Sequence, residues 1–342
     1  MNIAKSYNEL PIRLAEKLRN GNIFFSKEYE KNTIYREQKV YYLWNDNYVI
    51  SIRIKKELFL QAGIFMTEPL CIGILDKNTE KNFIDEVIVE LKKQNIQWII
   101  CDRTSRFQVY PTGSKTVLNG SHIIDLTQSE DEMWTNVHSK HRNVIRKAQK
   151  DGVEIKFGGI ELLGEYVPIA DITYARSKKV NASFDYYKST IVGIENNTVV
   201  VLAIKDDIVQ AGGIFFYNSK IGYYIHGASK NEPYAGAANL LIWEVMLYLK
   251  KLNVKEFSFV GYHHNTDSDS KLHGIQRFKE RFGGVLEVSY NFKVINNKFK
   301  YSLYCLVIQL KSKNKLKKYK DAIDEQIGEF PELNKEGGKN NR

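Results

Sequence analysis

Two stretches of this 342-residue chain run through the same succession of hydrophobic patterns, and that repetition limits the folds open to it. In the first, strand-like runs at Thr33 to Trp44, Tyr48 to Lys55 and Phe59 to Phe65 are rich in Ile, Val, Tyr and Phe and read as an antiparallel meander. A helical pattern from Thr79 to Gln94 follows, with Phe83, Val87, Ile88, Val89 and Leu91 on and around one face, and then the short apolar run Trp98 to Cys101. In the second, strands Thr198 to Lys205, Ile208 to Tyr217 and Gly222 to Ala228 precede a helix at Gly236 to Lys251 and a short strand at Glu256 to Val260. The pattern predicts further helices at Asn8 to Arg19, Glu161 to Ser177, Phe184 to Ile194 and Ile275 to Phe282, and further strands at Val153 to Phe157 and within Val285 to Ile295. Strands before a helix and a buried strand after it predict an α/β layer arrangement, twice over.

The length and the 43% hydrophobic content suffice for two ordinary cores. Fifty Lys and Arg against 40 Asp and Glu leave a net charge of +10, a balance that favours polyanionic partners such as nucleic acid, nucleotide sugars or anionic headgroups. Cys71, Cys101 and Cys305 lie far apart in apolar runs, with neither a disulfide framework nor a metal spacing, and read as free thiols of a reducing compartment. The first eighteen residues carry too many charges for a signal peptide, and Tyr301 to Leu310 is far shorter than the ~20 residues a membrane span needs. The expectation is a cytoplasmic protein with no transmembrane segment.

Between the two stretches, Ser129 to Lys150 reads as one helix, with Ser129 as N-cap, Glu130, Asp131 and Glu132 in its first turn, and Gly152 as its stop. Val137, Val144, Ile145 and Ala148 fall on one side of it; Lys140, Arg142, Arg146, Lys147 and Lys150 occupy the rest. A solvated face and a surface for tRNA phosphate or a nucleotide diphosphate are both open readings. Six of the ten residues from Lys311 to Lys320 are lysine, and Lys335 to Arg342 has too little apolar content to pack.

The segment His138-Ser-Lys-His-Arg-Asn-Val-Ile-Arg-Lys-Ala-Gln-Lys-Asp-Gly-Val-Glu-Ile155 closely resembles the signature of the FemABX family. Tyr223-Tyr-Ile-His-Gly-Ala-Ser229, Leu241-Ile-Trp-Glu-Val-Met246 and Gly274-Ile-Gln-Arg-Phe-Lys-Glu-Arg-Phe-Gly-Gly284 follow at the family's spacing. Residues before Ser129 match only in outline and around Gly63 to Cys71. The resemblance implies two tandem GNAT-like domains of mixed, mainly antiparallel sheets flanked by helices: a degenerate first domain (1–128), a basic junction helix (129–152), a second domain (153–296), a return segment (297–327) toward the first domain and a disordered tail (328–342). It is read as two domains side by side, each with its own sheet.

The same resemblance implies an aminoacyltransferase that takes its acyl group from aminoacyl-tRNA, uses no cofactor, and delivers to an amine of a cell-wall or glycan precursor, with peripheral contact to the inner membrane surface. Lys279, of the pair Phe278-Lys279, is the expected catalytic cation, since an amine attacking an ester builds an oxyanion. His226 is a second catalytic candidate, as base. Tyr224, Gly227, Phe278 and Arg176, the last within a Thr-x-x-Arg element, are expected at the substrate, with Gly227 permitting close approach. Lys140, Arg142, Arg146 and Lys147 are the candidates for tRNA or phosphate. The stretch Asn231 to Ala238 lacks the basic or amide residue of a coenzyme A cradle, having Pro233 there and Glu232 beside it, which disfavours that donor. A coenzyme A-dependent acyltransferase of surface polysaccharide synthesis and a non-catalytic binding module remain the alternatives. His263, His264, Asp267, Asp269 and His273 read as a polar loop and not a metal site.

Overall fold

The computed structural model describes residues 1–19, 21–177, 180–262, 271–311 and 319–329. The first half consists of β1 (Asn2–Ala4), α1 (Ile12–Arg19), α2 (Lys27–Tyr35), β2 (Lys39–Trp44), β3 (Tyr48–Glu57), β4 (Leu60–Phe65), the two-residue β5 (Leu70–Cys71), α3 (Lys77–Lys93), β6 (Trp98–Cys101) and β7 (Lys115–Asp125). Two helices, α4 (Glu130–Asn136) and α5 (Ser139–Lys150), form the junction. The second half runs through β8 (Glu154–Gly158), α6 (Leu163–Ala175), α7 (Phe184–Ile191), β9 (Thr198–Lys205), β10 (Ile208–Tyr217), β11 (Ile221–Ser229), α8 (Ala237–Lys251), β12 (Glu256–Ser258), α9 (Lys271–Glu280) and β13 (Val285–Ile295). Helices α10 (Lys298–Lys311) and α11 (Ala322–Glu329) close the described chain.

The two halves repeat one order of elements. Strand, two helices, three antiparallel strands, helix and a strand parallel to the third occur as β1 to β6 and again as β8 to β12. The strand order β1-β2-β3-β4-β6-β13-β7-β12-β11-β10-β9-β8 reads the same from both ends once each strand is replaced by its counterpart. The tandem GNAT-like architecture is therefore present, but its sheets are not separate as the sequence reading expected. Each half gives its last strand to the other: β13 pairs with β6 of the first half, β7 pairs with β12 of the second, and β7 and β13 pair with each other over nine residues. One continuous sheet of thirteen strands results, because an edge strand left unpaired at the centre would expose a row of backbone donors and acceptors.

Helices cover this sheet in places set by their apolar faces. Phe83, Ile84, Val87 and Leu91 of α3 pack on one face of the first half, and α8 packs in the same way in the second through Leu241, Ile242, Val245 and Met246. On the other face of the second half, Tyr166 and Tyr187 of α6 and α7 share a core with Ile23, Phe24 and Tyr29 of the first half. Asn32 of α2 donates from Nδ2 to the carbonyls of Ser189 and Val192 at 2.9 and 2.7 Å, capping the end of α7 across the two halves. Helix α10 lies over β4 and β6, where Tyr301 and Tyr304 pack on Leu60, Ala62 and Trp98.

Three local differences from the sequence reading have physical causes. Thr33 to Tyr35 belongs to α2 and not to the first strand: Ser26 caps the helix and the Thr33 hydroxyl donates to the Tyr29 carbonyl at 2.8 Å. The junction is two helices, broken where Val137 and His138 are extended; Ser129 and Glu132 form the capping box of α4, and the Arg142 guanidinium donates to the carbonyls of Trp134, Thr135 and Val137 at its other end. Strand β7, which no apolar alternation announces, buries Asn119, Ser121 and His122. The thiols are free, Cys101 buried and Cys71 and Cys305 partly exposed.

Strand exchange ties the stability of each half to the other. Thermal unfolding followed by calorimetry should give one transition with equal calorimetric and van't Hoff enthalpies; two resolved transitions would show that the halves unfold separately and that the central pairings are weak.

Candidate active site at the fork between β11 and β12

Parallel strands β11 and β12 pair only from Ile221 to Tyr223 against Glu256 to Ser258, and then part. Beyond Ser258 the chain turns to β7, Phe259 donating its N–H to the His122 carbonyl at 3.1 Å and Tyr262 to the Gly120 carbonyl at 2.7 Å. The counterpart strands of the first half, β4 and β6, stay paired from Ala62 to Phe65, and Asp102 N–H extends the ladder to the Phe65 carbonyl at 2.8 Å. The fork is thus open in the second half and closed in the first.

Two cations reach into the open fork. Lys279, on α9, donates from Nζ to the carbonyls of Val260 at 2.6 Å and Gly261 at 2.7 Å. Both acceptors sit in left-handed backbone, φ 39° at Val260 and 59° at Gly261, and a β-branched residue tolerates that only where its surroundings hold it. Arg103, from the loop after β6, donates to the Ile225 carbonyl on the opposite strand. Burial, and then the Arg103 charge, bring the Lys279 pKa down to about 7; the two carbonyls it donates to favour its charged form. An ammonium has three donors, and these bonds use two of them.

A bulge in β11 shapes the fork's other wall. Phe215 pairs with Tyr224 and Ile214 with His226, so Ile225 is the extra residue and it faces the same side as His226. Both line a pocket of about 100 Å³ between the halves, with Tyr29, Asn32 and Arg36 from around α2, Arg53 of β3, Asp102 and Arg103 after β6, and Tyr186 and Thr190 of α7. Three guanidiniums face one carboxylate there. The buried Tyr29 hydroxyl and Arg53 Nε have no hydrogen-bond partner among the described residues, and burial together with Arg53 lowers the Arg36 pKa. Arg36 also stands 5.6 Å from the Tyr186 ring centroid. Such a concavity suits an anion.

The expected site residues do not all meet here. Lys279 and His226 lie at the fork and its pocket; burial, then Arg103 and Arg36, push the His226 pKa down to about 3, so the imidazole is neutral and a feeble proton acceptor near neutral pH. Tyr224 stacks on Phe215 on the opposite face, 4.9 Å between centroids and 11° between planes, with its pKa raised to about 12 by burial. Gly227 is required by that ring: a Cβ there would lie 2.0 Å from the Tyr224 hydroxyl, so the close neighbour is the protein's own side chain. Phe278 packs on His141 and Phe282, and its carbonyl accepts from His141 Nε2 at 3.1 Å. Arg176 and Thr173 both bond Ser229 at the far end of β11, away from the pocket.

Of the basic residues of α5, Arg142 caps α4, Arg146 stacks on Trp134 at 5.2 Å, Lys147 pairs with Asp151 and Tyr234, and Lys140 is exposed. This helix crosses the start of α8. Gly236, at φ 86°, has no room for a Cβ, which would stand 2.1 Å from the Val144 carbonyl. Of the polar cluster near His263, residues 263–270 lie outside the described residues; among the described residues no group of His, Cys, Asp and Glu could hold a metal. The sequence reading missed Arg103, Asp102, Arg36, Arg53 and Tyr29, all from the half it took as degenerate.

Residues 80–206 and 204–309 match the model of the FemAB family. The chain belongs to that family. The solved structure of FemX is similar over 89% of this chain and 99% of its own, with a TM-score of 0.63 at 13% identity. The C-terminal domain of a putative lysylphosphatidylglycerol synthetase from Agrobacterium fabrum matches over 85% and 94%, with TM-score 0.51 at 13% identity. At such identities the likeness is one of fold. No curated protein matches the sequence. Family membership makes the chain, at that level, an acyltransferase connected with the cell wall. No helix among the described residues is long and apolar enough to cross a membrane.

The depressed Lys279 pKa makes a linkage prediction. Between about 7 and its ordinary 10.5 the unfolded chain binds a proton at this residue that the folded protein does not, so this term makes stability rise with pH across that window. The stability difference between the native protein and Lys279→Met, from denaturant titrations at pH 7 and pH 10, should shift in favour of the native protein at pH 10; a pH-independent difference would show that Lys279 titrates normally.

Proposed function

We propose that this protein transfers an aminoacyl group from aminoacyl-tRNA to an amine of a cell-envelope precursor, a peptidoglycan peptide or a surface glycan. The observation that carries the donor assignment is α5 lying across the N-terminus of α8. In an acetyltransferase that helix end offers free N–H groups to the coenzyme A pyrophosphate; here Gly236 packs against the Val144 carbonyl, and Lys147 and Tyr234 join the two elements in front of it. With that cradle covered, an ester donor whose reacting end enters the fork from elsewhere fits better, and the net charge of +10 suits a polyanionic one.

In this reading the acceptor's amine attacks the ester carbonyl in the fork. The new C–N bond forms as the C–O bond to the ribose breaks, and the amine's proton leaves with the ribose oxygen. In its protonated form Lys279 has a third N–H, which meets the charge that builds on the carbonyl oxygen in a half-buried site that strengthens the interaction. The arginine-lined pocket takes an anionic part of the acceptor, phosphate or carboxylate, which would give Tyr29 and Arg53 the partners they lack. His226 acts there as a neutral hydrogen-bonding group.

One assay tests both assignments. Native protein should transfer from aminoacyl-tRNA and not from acetyl-coenzyme A, and Lys279→Met, with a comparable melting temperature, should lose roughly 100-fold or more in rate. Transfer from acetyl-coenzyme A would overturn the donor, and near-normal transfer by a folded Lys279→Met protein would overturn the site.

A further inference from the structure

Helix α10 has two apolar faces. Tyr301, Tyr304, Cys305 and Ile308 turn inward onto β4 and β6. On the opposite side Phe299, Leu303, Leu306 and Leu310 follow one another at helical spacing and are 80%, 38%, 51% and 56% exposed. One apolar stripe is enough to hold a surface helix to its core. Single exposed apolar residues are ordinary, but a row of large ones on one helix marks a contact surface.

The charge around the stripe says what the contact is. On the helix, Lys300 and Lys311 border it on one side and Lys298 on the other. From Lys298 to Lys320 the sequence holds eight lysines and no acidic residue. The nearest carboxylates that follow, Asp321 and Asp324, are turned to Lys293 and Lys115 and do not offset this charge. A protein groove would take the leucines without calling for the lysines; an anionic bilayer takes both, the apolar row entering the headgroup boundary and the ammonium groups meeting phosphates.

We propose that α10 is a docking surface for an anionic lipid bilayer, a property independent of the transfer reaction. The full chain is centrifuged with phosphatidylglycerol-rich vesicles and with pure phosphatidylcholine vesicles. It should sediment with the former, weakly or not at all with the latter, and less as salt rises, since each lysine near an anionic surface contributes about fivefold. Leu303→Ser/Leu306→Ser, at exposed positions, should keep the native melting temperature and lose at least ~10-fold in partitioning. Lys298→Gln/Lys300→Gln should weaken binding to the anionic vesicles alone. Equal sedimentation of native and serine proteins, indifference to lipid charge, or no sedimentation at all would overturn the proposal, as would a dimer of this chain that the serine substitutions dissociate and that excludes vesicles.

Discussion

The pairing of β7 with β13 is the contact on which the rest of the molecule depends. Each strand follows its own half in sequence yet lies on the other half's side of the centre, and their nine-residue ladder closes two incomplete sheets into one. Because β13 follows α9, the exchange also fixes where α9 sits. That position brings Lys279 to the carbonyls of Val260 and Gly261. The loop after β6 is held in the same region by β6 pairing with β13, and from it Arg103 reaches the Ile225 carbonyl. A site shared by the halves follows from strands shared by the halves.

The fork and its pocket gather positive charge, with Arg36, Arg53 and Lys279 half-buried, which folding alone would not favour. Arg103, Arg36 and Arg53 line one pocket with Asp102 as its acidic residue, the Arg103 charge also acts on Lys279, and the lowered pKa values of Lys279, His226 and Arg36 all record burial first and a neighbouring arginine next. The Tyr29 hydroxyl and the Arg53 Nε lack partners in the same place. Structural ion pairs elsewhere are arranged differently: Lys293, with no exposed side-chain surface, has both Asp321 and Asp324 at 2.6 Å. Unbalanced charge of this kind persists where a ligand of the opposite sign completes it.

Much of the fold was legible because the strands before each long helix are apolar and the helices carry one-sided faces, so elements such as β9, β10 and α8 fall where the pattern predicts. Strand β7 was illegible for a definite reason. Its buried Ser121 bonds the Ser258 hydroxyl at 2.8 Å and its buried Asn119 reaches Asn291 at 3.3 Å, so hydrogen bonds replace the apolar alternation that a sequence pattern detects. Missing β7 also hid the exchange, and with it the single sheet. At the site, the Phe278-Lys279 pair was legible through its matched context, whereas Arg36 and Arg53 sit on surfaces that no spacing marks and become neighbours only through the packing of one half on the other. The basic face of α5 was open to two readings, a solvated face and a phosphate surface, because charge in sequence does not reveal its partner; in the structure Arg142 completes the helix before it.

Transfer in the fork requires the donor's reacting carbonyl to rest beside Lys279. The most direct measurement is a crystal structure with a non-hydrolysable analogue of the aminoacylated 3′ end of tRNA. The carbonyl oxygen should lie within hydrogen-bonding distance, about 3 Å, of Lys279 Nζ between the separating ends of β11 and β12, with α5 still across the start of α8. An analogue seated instead at the N-terminus of α8, with α5 displaced, or one bound elsewhere with Lys279 still facing only Val260 and Gly261, would contradict the account.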